Sequence, residues 1–207
     1  MSVKKYSCVL FICLLFFLFC ALYCQDVIFA EDIKVTNIKV GSGKPYKVGE
    51  GGLKVGSVYY IDRTYVVNTI PKELDGALWI MTANDDKNSV GEEFLSFTVN
   101  VPVIVWLAHD SRGEEEKGGK PPEWLSAKNG WEKHPDMKID VTDANMGFFI
   151  LWSKSFNKGN IKLGGNADPP ASGQGSNYIV LLTPGKNLSV EPISKLYKTW
   201  AYIKSLP

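Results

Sequence analysis

The chain has 207 residues, 45% of them hydrophobic, with 23 basic side chains against 22 acidic ones and a formal net charge of +1 at pH 7. That balance excludes binding to nucleic acid or an anionic membrane surface by bulk charge. All four cysteines (Cys8, Cys13, Cys20 and Cys24) precede residue 25, so everything after them lacks both a disulfide framework and a thiolate metal site.

The opening reads as an export signal. Lys4 and Lys5 precede the apolar run from Cys8 to Tyr23, and Ile28 and Ala30 suit the positions before a signal-peptidase cut. The run is shorter than the stretch of about 20 residues that spans a bilayer, so residues 1–30 are predicted to be a signal peptide. An uncleaved anchor is the alternative, and through it alone would the chain meet a membrane. The bulky residues before Cys20 and Cys24 disfavour lipid attachment. The expected location is secreted, periplasmic or cell-envelope. Removal of Lys4, Lys5 and Asp26 with this segment leaves basic and acidic residues equal in number.

Residues 31–56 form an N-terminal strand and a turn-rich segment. Ile33, Val35, Ile38 and Val40 alternate with a slip between Val35 and Ile38, the mark of a bulge. A short strand is predicted near Tyr46–Val48. Residues 57–185 then carry short β-branched and aromatic runs between Gly, Pro, Asn and Asp clusters: 57–61, 64–67, 77–82, 94–99, 101–109, 137–141, 147–154, 160–163 and 177–183. The 101–109 run is apolar on both faces and so predicts a central strand, with Pro102 at its start or at a bulge. In residues 186–207, Pro192 opens a helical pattern continued by Ile193, Leu196, Trp200 and Ile203. The predicted fold is all-β, a jelly-roll-like antiparallel β-sandwich with a short C-terminal amphipathic helix.

Catalytic sets are sparse. The only histidines are His109 and His134, and no Gly-x-Ser-x-Gly elbow is present, so neither a nucleophile with its base nor a three-histidine zinc site can be assembled. His109 reads as a satisfied strand-end residue and His134 as a solvated loop residue. Calcium suits the oxygen-rich Asn84-Asp85-Asp86 turn, but the segment lacks EF-hand spacing. An Asx-rich turn is the preferred reading, with no cofactor. Carboxylate pairs for glycoside hydrolysis do not converge in the sequence. Sugar binding asks only for an aromatic ring and a few polar groups in a pre-formed site. Trp79, Trp106 and Trp152 lie in apolar strands and read as core; Trp124 reads either as an anchor folded over the core or as an exposed platform. Three loops are long enough to carry function: 83–93, 110–131 with the run RGEEEKGGK, and 164–176.

Five short motifs occur in order: Tyr60-Ile61-Asp62-Arg63-Thr64-Tyr65, Thr82 to Lys87, Asp110-Ser111-Arg112, Pro122-Glu123-Trp124-Leu125 and Leu163 to Asn166. Together they resemble a β-sandwich accessory module of secreted bacterial polysaccharide-degrading proteins, over residues 57–183. The resemblance implies a non-catalytic role beside carbohydrate-active partners, with Asp85, Asp86, Lys87, Asp110, Arg112, Trp124 and Asn166 as ligand-binding candidates. The RGEEEKGGK insert is longer than that pattern provides for. The motif residues have a fold-holding reading as well: Asp62 and Arg63 as an internal ion pair, and Arg112 paired with Asp85 or Asp86. The expected function is a non-enzymatic exported module that binds extracellular or envelope polysaccharide. The alternatives are a structural or protein-interaction subunit with an envelope-protein partner, and a small polysaccharide lyase or hydrolase.

Overall fold

The computed structural model describes residues 32–185. The predicted signal peptide and C-terminal helix lie outside them. Ten strands follow in order: β1 (Val35–Val40), β2 (Lys47–Val48), β3 (Val67–Thr69), β4 (Leu78–Met81), β5 (Leu95–Val99), β6 (Val103–Asp110), β7 (Glu132–Val141), β8 (Phe148–Phe156), β9 (Gly159–Leu163) and β10 (Ile179–Pro184). They form a three-stranded sheet, β1-β5-β9, and a seven-stranded sheet, β2-β4-β10-β6-β8-β7-β3. All the strand pairs are antiparallel. The fold is the all-β sandwich that the alternating runs predict.

The slip in β1 is a real irregularity. Its register against β5 shifts between Thr36 and Lys39, and Asn37 takes φ +52°. Asn tolerates that left-handed conformation better than a β-branched residue does.

Strand β6 is the fourth of seven, between β10 and β8, and its two-faced apolarity has a direct cause. Val103, Val105 and Leu107 face the main core between the sheets, with Leu95, Phe97, Ile161, Trp152 and Val180. Ala108 faces a second core with Tyr59, Tyr60, Trp79, Phe149, Leu151 and Leu181. The large sheet therefore buries apolar side chains on both faces. On the second face the cover comes from residues 53–74, among them Leu53, Tyr59, Tyr60 and Leu74, all essentially inaccessible.

That covering segment is where the strand pattern misleads. Residues 57–61 and 64–66 make only isolated bridges, Val58 to Val66 and Tyr60 to Thr82. Asp62 interrupts them: its carboxylate accepts the backbone N–H of Asn84 at 2.8 Å and of Asp85 at 3.0 Å. Side-chain bonding of this kind takes the backbone out of ladder geometry. Strand β7, conversely, starts at Glu132, five residues before the predicted run. His134 accordingly lies within a strand rather than in a solvated loop. Its Nε2 is 2.8 Å from Ser153 Oγ, and its ring lies 4.9 Å from that of Trp106. Trp106 is half-buried, whereas Trp79 and Trp152 are core as expected.

Candidate functional site

The loop at 164–178 ties the sequence-nominated residues to one end of the sandwich. Asp110, the last residue of β6, is fully buried. Its carboxylate accepts from Arg112 Nε at 3.0 Å and Nη2 at 2.7 Å, and from the backbone amides of Arg112, Gly175 and Ser176 at 2.9, 2.8 and 2.8 Å. Burial pushes this carboxyl upward, but the Arg112 guanidinium and the amides outweigh it and hold it below its ordinary value. Arg112 continues to Ser176 Oγ at 3.0 Å, and that hydroxyl donates to Asp143 at 3.2 Å. The buried Asn166 donates from Nδ2 to the carbonyls of Lys87 at 2.9 Å and Ser176 at 3.2 Å.

Trp124 is the anchor rather than the platform. Its indole N–H donates to the Gly165 carbonyl at 2.9 Å, and its ring packs edge-on against Tyr178 and Trp131 at 5.9 Å each. A Cβ on Gly164 would lie 2.4 Å from the indole Cδ1, so a glycine there is a packing requirement.

The Asn84–Asn88 helical turn holds the other nominated residues. Asp86 accepts from Tyr46 Oη at 2.7 Å and Ser42 Oγ at 2.8 Å and pairs with Lys44; Asp85 pairs with Arg63 at the surface. Arg63 Nη1 also lies 3.4 Å from Asp62. Arg112 thus takes Asp110 and leaves Asp85 and Asp86 to other cations, which corrects the pairing expected for it. Each acid in the turn has its own cation, and among the described residues no group of three or more His, Cys, Asp or Glu is placed to hold a metal ion. Of the nominated side chains, Asp110, Asp86 and Asn166 are buried, Arg112 and Trp124 are half-buried, and Lys87 enters the network through its carbonyl.

An open site lies where the RGEEEKGGK run meets β7 and β8. Gly119 folds the loop back on itself: a Cβ there would lie 2.3 Å from the Arg112 carbonyl. This turn carries Glu114 inward until it is 1% exposed. Glu114 Oε1 sits 2.7 Å from His109 Nδ1 and accepts from Trp152 Nε1 at 3.0 Å, while Oε2 is 2.8 Å from Lys133 Nζ. Burial raises the Glu114 carboxyl, but His109, Lys133 and Trp152 together hold it below the usual range. His109 is thus bonded at Nδ1, but its Nε2 is buried without a hydrogen-bond partner, so the expected satisfied strand-end residue is satisfied on one side only.

Beside this buried carboxylate a cleft of about 360 Å³ opens, lined by Ser111, Glu114, Glu116, Lys117, Asp136 and Phe148 among others. Lys117 and Lys138 hold their ammonium groups 5.9 and 5.1 Å from the Phe148 ring centre. A second cleft of about 410 Å³ is lined by Glu115, Ser126, Ala127, Trp131, Lys133 and Trp152, among others. Glu114, Lys133 and Phe148 escaped the sequence reading. The available signal was His109 and Trp152, inward-facing donors on adjacent strands β6 and β8, which require a buried acceptor.

No protein-family model matches the chain, and no curated protein matches it. Among solved structures it is similar to part of a β-glucuronidase from glycoside hydrolase family 2, at 19% identity and a TM-score of 0.60 over 72% of this chain. A GH138 enzyme targeting pectin rhamnogalacturonan II is 15% identical, with a TM-score of 0.44 over 78% of this chain. The chain spans 14% and 18% of the lengths of those two proteins. The first likeness shows a shared β-sandwich fold.

Proposed function

We propose that the chain is a non-catalytic, exported β-sandwich module that binds extracellular or envelope polysaccharide, with the Phe148 cleft as its ligand site. The observation that carries this reading is the cleft itself. A half-buried aromatic ring lies beside two ammonium groups and the carboxylates of Glu116 and Asp136, in about 360 Å³ of open space. An apolar surface with a few convergent polar groups is what a sugar ring asks of a protein. The β-sandwich it shares with part of a glycoside hydrolase is consistent with that role. The non-catalytic part is supported by the engagement of the buried carboxyl groups: Asp110 is occupied by Arg112 and two loop amides, and Glu114 by His109, Trp152 and Lys133, and both are held below their ordinary values. A glycosidase general acid needs the opposite shift.

Affinity gel electrophoresis of residues 31–207 through acidic and neutral polysaccharides tests the reading. Retardation on at least one of them, lost in Phe148→Ala, is expected. Free migration through every polysaccharide, or retardation unchanged in Phe148→Ala, overturns it.

A second reading, an interaction subunit of an envelope assembly, draws on the 164–178 network, whose polar groups serve the fold. Pull-down of a stoichiometric envelope protein, without polysaccharide retardation, would favour it.

A further inference from the structure

The two clefts are neighbours on one wall. Glu115 lines one while Glu114 and Glu116, on either side of it, line the other. On β8 the linings step from Trp152 to Ile150, and on β7 from Lys133 to Pro135, which is about 7 Å along a strand in each case. Two ion pairs from one lysine cross between their linings. Lys133 Nζ, from the second cleft, reaches Glu116 at 2.7 Å and Glu114 at 2.8 Å in the first.

Glu116 is 58% exposed and Lys133 21% exposed at their side chains, so their contact is of the kind that solvent and polar ligands part cheaply. Glu114 is different. It is buried with three partners, so Lys133 keeps one anchor when Glu116 lets go. Phe148 offers half-buried aromatic carbon in one compartment, the nearly buried edges of Trp131 and Trp152 form the wall of the other, and both compartments offer charged hydrogen-bonding groups.

We infer that the two clefts are adjacent subsites of one groove that binds a glycan chain of at least two sugar residues, with Lys133 as the positioning residue at the junction. This rests on the polysaccharide-binding reading above. In the bound state, ligand hydroxyls replace Glu116 on the Lys133 ammonium. Glu114 holds that ammonium in place, which fixes the register of the chain between the two compartments. A single sugar fills only the Phe148 compartment and gains nothing from the second.

The test is isothermal titration of residues 31–207 with oligogalacturonides and cello-oligosaccharides of one to six units. For whichever series binds, affinity is expected to rise at least tenfold from the monosaccharide to the tetrasaccharide and then level off. Ala127→Trp, an exposed position lining the second cleft only, should abolish the rise with chain length. Equal affinity at every length, or a length dependence untouched by Ala127→Trp, overturns the two-subsite groove while polysaccharide binding stands. Binding of neither series, together with free migration through every polysaccharide gel, fails both readings. Polysaccharide retardation without binding of either oligosaccharide series overturns the groove alone.

Discussion

Asp110 and Arg112 meet side chain to side chain across a two-residue turn, with the carboxylate inaccessible and the guanidinium 31% exposed at its rim. The pair closes the end of the central strand and pins the 174–176 backbone to it through the Gly175 and Ser176 amides. Asp110→Asn keeps the shape but removes the charge from a site that offers five donor contacts. A loss of about 2–4 kcal/mol of unfolding free energy is expected from breaking a buried pair whose surviving cation can reach water. Urea denaturation checks it, and an unchanged midpoint would show that the lock is ornamental.

Acid should destabilise this molecule. Asp110 and Glu114 are both held below their ordinary values in the fold. A depressed carboxyl contributes stability that is complete above its unfolded value, about 4 here, and disappears as pH falls through the folded value. Stability is therefore expected to be flat near neutrality and to drop below about pH 4. The slope of that acid limb should be shallower in Asp110→Asn and in Glu114→Gln than in the parent, as read by thermal melts across pH.

The buried acceptor at Glu114 gives a sharper comparison. Trp152→Phe keeps a large aromatic ring but withdraws the indole N–H that donates to Oε1 at 3.0 Å. Loss of a hydrogen bond to a buried carboxylate is expected to cost about 1.5–3 kcal/mol. Phe156→Tyr, on the same strand and half-buried, should cost much less. Similar costs for the two would mean that volume, not the hydrogen bond, sets the effect.

Gly164→Ala tests the anchor. The added methyl would overlap the Trp124 indole while the backbone conformation there is ordinary, so the effect is purely steric. Overpacking of this kind costs about 1–3 kcal/mol. The double variant with Trp124→Phe should recover part of it, and a double-mutant cycle showing strict additivity would refute the contact.

Much of this architecture is readable from alternation. The run at 101–109 announces its central place because no polar face survives in it, and the slip between Val35 and Ile38 announces the bulge. Asp62 is the counterexample. Its neighbours Tyr59, Tyr60 and Tyr65 look like strand residues, yet their rings serve the second core while the carboxylate organises a turn 22 residues later. The candidate groove was hidden for a related reason. RGEEEKGGK reads as solvated charge, and nothing local distinguishes Glu114, which is buried, from Glu115 and Glu116, which are not. That difference arises only when His109, Lys133 and Trp152 are brought together from three strands. Conversely, the nominated Asp110 and Asn166 did converge on the 175–176 backbone, Asp110 through the Gly175 and Ser176 amides and Asn166 through the Ser176 carbonyl, while Asn166 Oδ1 is buried without a hydrogen-bond partner.

The outer strands of the seven-stranded sheet, β2 and β3, are two and three residues long. A stranger's backbone seeking to extend that sheet would find almost no ladder to copy, since templated strand addition needs a run of free amides and carbonyls. Any strand-by-strand association of the described domain should therefore run through the small sheet, whose edges β1 and β9 are six and five residues long, and not through the large one.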